Sequence, residues 1–403
     1  MSWRSSLAAT VLVLGACGSS GPSVAQTTGL PFTITKLATF SSPWAMAFLP
    51  DGSALVTEKA GTIKLWKEGK APIAVSGVPR VLYGGQGGLL DIALSPRFSQ
   101  DRMVYLTFSE PQSVGGSSLA LARAVLNSTA TGLGSLQVIW RDPAGGNGGQ
   151  FGGIIAFAPD GQSLFLTSGE RQRFTPAQDM SQPLGKVLHL SLDGRPAAGN
   201  PFAGQQGATS VTITNPPADT EAAKTATGRT FTWPGANLTP SQTWSLGHRN
   251  PYGLAFTPDG RLWETEMGPK GGDELNLILP GRNYGWPEAS NGQNYDGVPI
   301  PSHASKPQFE APKQYWVPSV SPSSLMVYSG NLFSQWKGNG FIGTLSGQSL
   351  IRIVFNGAVA TKAEQWSLSR RIRFVAQGPE GAIYLLQDDG PLVRLTPTQR
   401  RRR

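Results

Sequence analysis

The chain is poor in the residues that build several common kinds of site. Of 403 residues only one is cysteine, three are histidine and 15% are charged. With Cys17 alone there is no disulfide framework, no thiolate metal cluster and no thiol nucleophile beyond the N-terminal region. The histidines, His189, His248 and His303, are scattered and make no zinc-ligand spacing. No Gly-x-Ser-x-Gly elbow occurs, which weakens a serine-hydrolase reading. GGQGGL at residues 84–89 looks superficially like a dinucleotide loop, but no βαβ pattern surrounds it.

Long hydrophobic runs are also absent beyond the first residues. There, Arg4 precedes an apolar run at residues 7–14 and a series of small residues, the pattern of an export signal over residues 1–25. Two processing readings stand side by side: a lipoprotein-type box ending at Cys17, and small-residue cleavage after Ala25. The expected location is therefore exported, either periplasmic or tethered to the cell envelope through a lipid on Cys17. The formal charge of +9 includes Arg4 of the leader and the four arginines at 400–403, so the body carries only a modest excess. No basic stripe is interleaved with aromatics, and nucleic acid is not an expected partner.

What the chain does have is glycine and proline, 50 and 32 residues respectively. These punctuate a recurring unit: an apolar strand, a Pro-Asp-Gly-type turn, and a second apolar strand often ending in Thr or Ser. Copies read MAFLPDGSALVTE, IALSPRFSQDRMVYLTFSE, IAFAPDGQSLFLTSGE, LAFTPDGRLWETE and VAQGPEGAIYLLQD, with prolines at 50, 96, 159, 258 and 379. A diverged copy fits residues 326–353. Units of this size cannot bury their own faces, and six of them predict an all-β, six-bladed β-propeller with four-stranded antiparallel blades and few helices. A β-sandwich does not naturally require six similar units. The propeller is expected over residues 30–397 as one domain. An insertion of poor strand periodicity is expected at about 195–240 and a basic disordered tail at 398–403.

Propeller sites form where loops from different blades converge over the axis. Three loops stand out. GGQGGLLDIAL places Gln86 among glycines that allow close backbone approach to a flat ligand. LGHRNPYG offers Arg249 and Asn250 as adjacent donors. EMGPKGGDE concentrates carboxylates and turn carbonyls, the hard-oxygen supply that Ca²⁺ takes.

Together with FGGIIAF, LGKVLHL, NYGWP, YWVPSVSPSS and RRIRFV, these loops resemble the soluble quinoprotein aldose, glucose and sorbosone dehydrogenases, which use pyrroloquinoline quinone (PQQ) on a six-bladed propeller. The resemblance covers nearly the whole mature chain. It implies hydride transfer from sugar C1 to the quinone, removal of the hydroxyl proton by a histidine, and a Ca²⁺ that polarises the quinone oxygen. By the same resemblance, Gly268 and Pro269 offer carbonyls to the cofactor Ca²⁺, while Glu274 and Tyr284 hold a structural Ca²⁺. Arg249 and Asn250 contact the quinone oxygens, with Gln86 beside the reacting centre. Arg371 and Arg373 grip the cofactor carboxylates, and Trp316 lines the sugar cleft. The electron acceptor and the oligomeric state have no signature.

The departures from the family pattern bear on catalysis. The segment that carries the family histidine reads Gln150-Phe151-Gly152-Gly153-Ile154, so Gln150 replaces the base. Ser346 stands where a cofactor-binding lysine is expected, and Phe374 where an aspartate is expected. His248 and Glu170 are the substitutes for the base that sequence alone offers. Two functions follow: an exported PQQ-dependent aldose dehydrogenase with a replaced base, or a non-catalytic propeller that binds a sugar, a quinone or a protein partner.

Overall fold

The computed structural model describes residues 29–113, 115–143, 145–214 and 227–398. The leader, with Cys17, and the arginines at 400–403 lie outside the described residues. Within them the chain forms six four-stranded antiparallel sheets and one separate hairpin. Numbered in chain order, the blades are β2 (Pro43–Phe48), β3 (Ala54–Glu58), β4 (Thr62–Trp66) and β5 (Ile73–Val75); then β6 (Leu89–Leu94), β7 (Met103–Pro111), β8 (Ser117–Leu126) and β9 (Leu133–Arg141). The third blade is β10 (Gly152–Phe157), β11 (Ser163–Ser168), β12 (Lys186–Ser191) and β15 (Thr243–Leu246); the fourth is β16 (Pro251–Phe256), β17 (Leu262–Glu266), β18 (Asp273–Ile278) and β19 (Gln314–Trp316). The fifth is β20 (Pro322–Val327), β21 (Gly340–Thr344), β22 (Ser349–Asn356) and β23 (Val359–Ser367). The sixth joins both ends of the domain: β24 (Ile372–Gln377), β25 (Ile383–Gln387) and β26 (Pro391–Pro397) take β1 (Phe32–Thr39) as their outer strand. This is the six-bladed propeller that the repeats predict, and the diverged copy at 326–353 falls on the fifth blade. The two α-helical turns among the described residues, α1 (Phe98–Asp101) and α2 (Thr239–Gln242), have four residues each.

The turns explain the Pro-Asp-Gly signature. Asp51 accepts the N–H of Ser53 at 3.0 Å, and Asp160 accepts that of Gln162 at 2.9 Å, while Gly52 and Gly161 take φ of 83° and 68°. An aspartate closes such a turn onto backbone two residues on, and glycine supplies the positive φ without steric cost. The Thr at the end of the second strand has an equally local cause with a long-range effect. Thr57, Thr107 and Thr167 donate their hydroxyls to the backbone carbonyls of Leu90, Gly153 and Pro251 at 2.7, 2.6 and 3.0 Å. Each therefore reaches from one blade to the innermost strand of the next, and Ser323 does the same to Ile372 at 2.6 Å. Buried backbone carbonyls are satisfied and neighbouring blades are locked in register.

The core lies between blades, where aliphatic faces pack against one another, as in the cluster of Leu89, Leu106, Leu121, Leu166 and Leu188. The inserted region differs from the sequence expectation. Between β12 and β15 it forms a hairpin of β13 (Ser210–Thr214) and β14 (Gly228–Thr232), with Val211 and Ile213 packed on Leu184. Its Thr-rich alternation is too short to stand out from the surrounding Pro, Ala and Gly.

Candidate active site

The loops entering the innermost strands and leaving the second strands converge at the end of the axis opposite the Pro-Asp-Gly turns. There they enclose a cavity of about 820 Å³. Gln86, Gln150, Arg249, Asn250, Gly268, Pro269 and Ser346 all line it. These seven residues come from the second to the fifth blades, and the structure thus brings most of the sequence candidates into one space.

The glutamines are held by backbone. Gln86 Oε1 accepts the N–H of Gln150 at 2.8 Å and the hydroxyl of Tyr252 at 3.0 Å. Gln150 Oε1 accepts the N–H of Gln172 at 3.3 Å, and Gln172 Oε1 accepts that of Gly149 at 2.7 Å. Gln172, which also lines the cavity, was missed by the sequence reading. With these backbone N–H groups and the Tyr252 hydroxyl as donors, the amide oxygens are committed to the protein. None of the three side chains is a base.

Below them lies a buried scaffold. Arg171, fully buried, donates to the carbonyls of Ser117 and Gly149 at 3.0 and 3.1 Å and lies 3.8 Å over the Phe151 ring. Burial and the neighbouring Arg173 charge press its pKa down to about 9. Glu170, offered by the sequence as a substitute base, does not reach the cavity. It is fully buried, and its carboxylate accepts the N–H groups of Gln172, Arg173 and Phe174. It shapes the loop and does not face the cavity.

Arg249 donates from Nη1 to the carbonyls of Met267 and Gly268 at 3.0 and 2.6 Å, so a cationic group already sits against the carbonyl turn. Asn250 is buried, and its Oδ1 has no hydrogen-bond partner among the described residues although the residue borders the cavity. Such an orphan acceptor is costly unless a ligand or water meets it. Arg249 and Lys270 are the charged residues of the lining, which has no carboxylate. The wall is cationic and donor-rich, suited to a flat polyanion.

Beside this cavity is a hole of about 10 Å³, large enough for one ion, bordered by Glu266, Glu274 and Tyr284. On one face of the β17–β18 pair, Asn276 Nδ2 donates to Glu264, Glu266 and Glu274 at 3.1, 3.2 and 3.1 Å. Burial and mutual repulsion hold the carboxyls of Glu264 and Glu274 well above the usual range. Oxygen ligands crowded at this density favour a hard cation or shared protons. His248 belongs here and not to the cavity. It is fully buried, hydrogen bonded to Ser245 at 2.8 Å and Glu266 at 3.3 Å, and stacked on Tyr284, so it is no substitute base. His303 is drawn in as well, with Nε2 at 3.0 Å from the Tyr284 carbonyl.

Three sequence candidates lie elsewhere. Trp316 does not line the cleft: on the edge strand β19 it faces inward and packs with Trp263, Leu275 and Ile351, leaving Tyr315 outside. The aromatic at the cavity is Tyr295. Arg371 and Arg373 share one partner, Asp388, at 2.9 and 2.7 Å, outside the cavity lining. Arg373 also lies 4.7 Å over the Trp44 ring, and its charge acts on Tyr252, the residue bonded to Gln86. Asp388, which comes from the turn after β25, is the carboxylate that both arginines meet. Burial pushes it up, but the arginine charges and hydrogen bonds outweigh this and leave its pKa lowered.

Against known proteins, the description Glucose / Sorbosone dehydrogenase matches residues 40–214 and 222–394. The chain belongs to the glucose/sorbosone dehydrogenase family. This family member is similar to the aldose sugar dehydrogenase YliI of Escherichia coli, with 34% identity over 88% of this chain and 90% of that protein. It is likewise similar to the apo-form crystal structure of the soluble aldose sugar dehydrogenase from Escherichia coli, at 32% identity and a TM-score of 0.78 over 91% of this chain and all of that one. The PQQ-bound aldose sugar dehydrogenase of Streptomyces coelicolor matches at 28% identity and a TM-score of 0.68, covering 91% of this chain and 98% of that structure.

Proposed function

We propose that this family member oxidises an aldose sugar at its anomeric carbon, with PQQ as the hydride acceptor and Ca²⁺ as the polarising ion. What carries the reading is the single cavity that unites Gln86, Gln150, Arg249, Asn250, Gly268 and Pro269. The cationic, donor-lined wall and the orphan Asn250 Oδ1 fit such a cofactor, the Gly268 and Pro269 carbonyls fit its Ca²⁺, and the neighbouring hole bordered by Glu274 and Tyr284 fits a separate, structural ion. When bound, PQQ with its Ca²⁺ supplies an electrophilic carbonyl able to take a hydride.

The chain's own residues have separable tasks. Arg249 and Asn250 would hold and polarise oxygens of the bound cofactor, and Gly268 and Pro269 would present carbonyls to the ion. Gln86 and Gln172 present amide N–H groups toward a sugar. No residue of the wall takes up the hydroxyl proton, because the Gln150 amide is no base; the proton leaves to the water of the open cleft. A general base supplies typically 10²- to 10⁴-fold, and turnover should be slow by about that factor. The leader pattern supports an exported protein, periplasmic or lipid-tethered.

Gln150 favours a second reading, in which the propeller binds cofactor or sugar without turnover. Titration of purified protein with PQQ and Ca²⁺, followed by dye reduction with a panel of aldoses, separates the two. Uptake with sugar-dependent turnover supports the dehydrogenase. Uptake alone supports the binding protein, and no uptake removes both.

A further inference from the structure

A second cavity, of about 440 Å³, opens on the opposite face, where the third and fourth blades meet at their Pro-Asp-Gly turns. Ser163 and His189 line it, together with Phe165, Trp244 and Phe256. Ser163 Oγ is 2.8 Å from His189 Nε2, and His189 Nδ1 is 2.7 Å from Asn200 Oδ1. The proton positions follow from the surroundings. Asn200 Nδ2 donates to the carbonyls of His189 and Ser241 at 2.9 and 2.6 Å, so Oδ1 must be the atom facing the ring. An acceptor there requires a proton on Nδ1, which leaves the Nε2 lone pair to accept from the Ser163 hydroxyl.

The ring is also held in place. It stacks on Phe165 with centroids 4.3 Å apart and meets the edge of Trp244 at 5.1 Å. Burial lowers its pKa, which favours the neutral imidazole that the hydrogen bonds require. Gln162, the residue before Ser163, brings a side-chain amide to the same wall. Among the lining residues Asp160 is the one carrying charge, and the rest of the surface is mainly aromatic and small apolar groups.

We propose that Ser163, His189 and Asn200 act as nucleophile, general base and positioning residue for the hydrolysis of short, uncharged acyl esters in this cavity. Ser163 Oγ bonds to the ester carbonyl carbon as its proton passes to His189 Nε2. The C–O bond to the alcohol breaks, and the alcohol leaves with that proton. Water then attacks the acyl-serine carbonyl, its proton again passing through Nε2, and the carboxylic acid departs with the serine hydroxyl restored. No oxidant or metal takes part. In a serine protease, Asp→Asn in this role is damaging because the amide presents N–H and selects the wrong tautomer. Here both N–H groups of Asn200 are bound to carbonyls, so the correct tautomer is kept.

The test is hydrolysis of p-nitrophenyl butyrate by the full chain, with and without PQQ, and reaction with a fluorophosphonate followed by peptide mapping. The expected results are saturable turnover independent of PQQ, a label on Ser163, and a loss of at least about 100-fold in Ser163→Ala and His189→Gln, each melting close to the parent. Asn200→Asp should move the acid limb of the pH profile upward, which a merely structural asparagine would not do. As a check independent of that loss, Ser163→Cys should be alkylated by iodoacetamide at pH 7 faster than a free thiol, and adding His189→Gln should cancel the advantage. Equal butyrate turnover in the parent and Ser163→Ala, a label elsewhere, or no alkylation advantage would each overturn the proposal.

Discussion

Gln86 accepts the backbone N–H of Gln150 through its side-chain oxygen at 2.8 Å, which ties the entry of the second blade to that of the third. Both residues border the cavity, yet this contact faces the Gln86 acceptor into the protein, and Gln150 Oε1 is likewise turned to the Gln172 N–H. Gln150→His, at a position with φ of 55° already imposed by the loop, should restore a proton acceptor. With PQQ and Ca²⁺ bound, aldose turnover is expected to rise by 10² or more. In the parent, the rate should climb with hydroxide, whereas in the variant it should level off above the histidine pKa, ordinarily near 6.5. Steady-state dye reduction from pH 5 to 10 reads both effects.

Arg249 is the cation nearest the carbonyl turn, and its loss should be felt first in cofactor affinity. Arg249→Ala is expected to weaken PQQ binding by about 2–3 kcal/mol, roughly 30- to 200-fold, since a hydrogen-bonded charge would be lost opposite an anionic ligand. Fluorescence titration at fixed Ca²⁺ measures it. An unchanged affinity would place the cofactor elsewhere.

The carbonyl turn itself has no spare room. A Cβ at Gly268 would lie 2.4 Å from the Gly272 oxygen and 2.5 Å from that of Gly271. Gly268→Ala should therefore displace backbone, lower stability by about 1–3 kcal/mol, and raise the Ca²⁺ concentration needed for half-maximal activity. Thermal melts with and without Ca²⁺ check both.

Asp91, buried on the innermost strand of the second blade, accepts the N–H groups of Ile92 and Ile155 at 2.9 and 2.8 Å. Burial nevertheless raises its pKa to about 7. The folded chain thus holds this proton over a range in which the unfolded chain has released it. The stability contribution is complete below about pH 4 and is lost as pH rises toward 7, by a few kcal/mol at most. Asp91→Asn should flatten that decline, as denaturant midpoints between pH 4 and 8 would show. An identical slope in the variant would mean that Asp91 ionises normally in the fold.

The parts of this molecule visible in its sequence are those set by local chemistry. Asp-Gly turns and strand-ending threonines depend on residues a few positions apart, and they place six blades in advance. Gln86, Arg249 and Gly268 were legible for the same reason, each lying in a glycine-rich loop between short apolar strands. Asp388 was not, because its claim on Arg371 and Arg373 spans 17 and 15 residues, from the start of β24 to the turn after β25, which only the antiparallel pairing brings side by side. Trp316 was placed at the cleft by the resemblance alone, and a three-residue edge strand gives no alternation from which to tell that it packs inward. The Ser163–His189–Asn200 chain had no local signature at all: neighbouring strands bring two of its members together, and the third comes from the insertion.

The outer strand of the sixth blade has a further meaning for how this molecule is made. Phe32 pairs with Pro397, so the circle cannot shut until synthesis has delivered β26. Until then β1 has no strand to pair with and the first blade has an uncovered flank. Trimming a few residues from either end of the ring, at β1 or at β26, would therefore harm one and the same sheet.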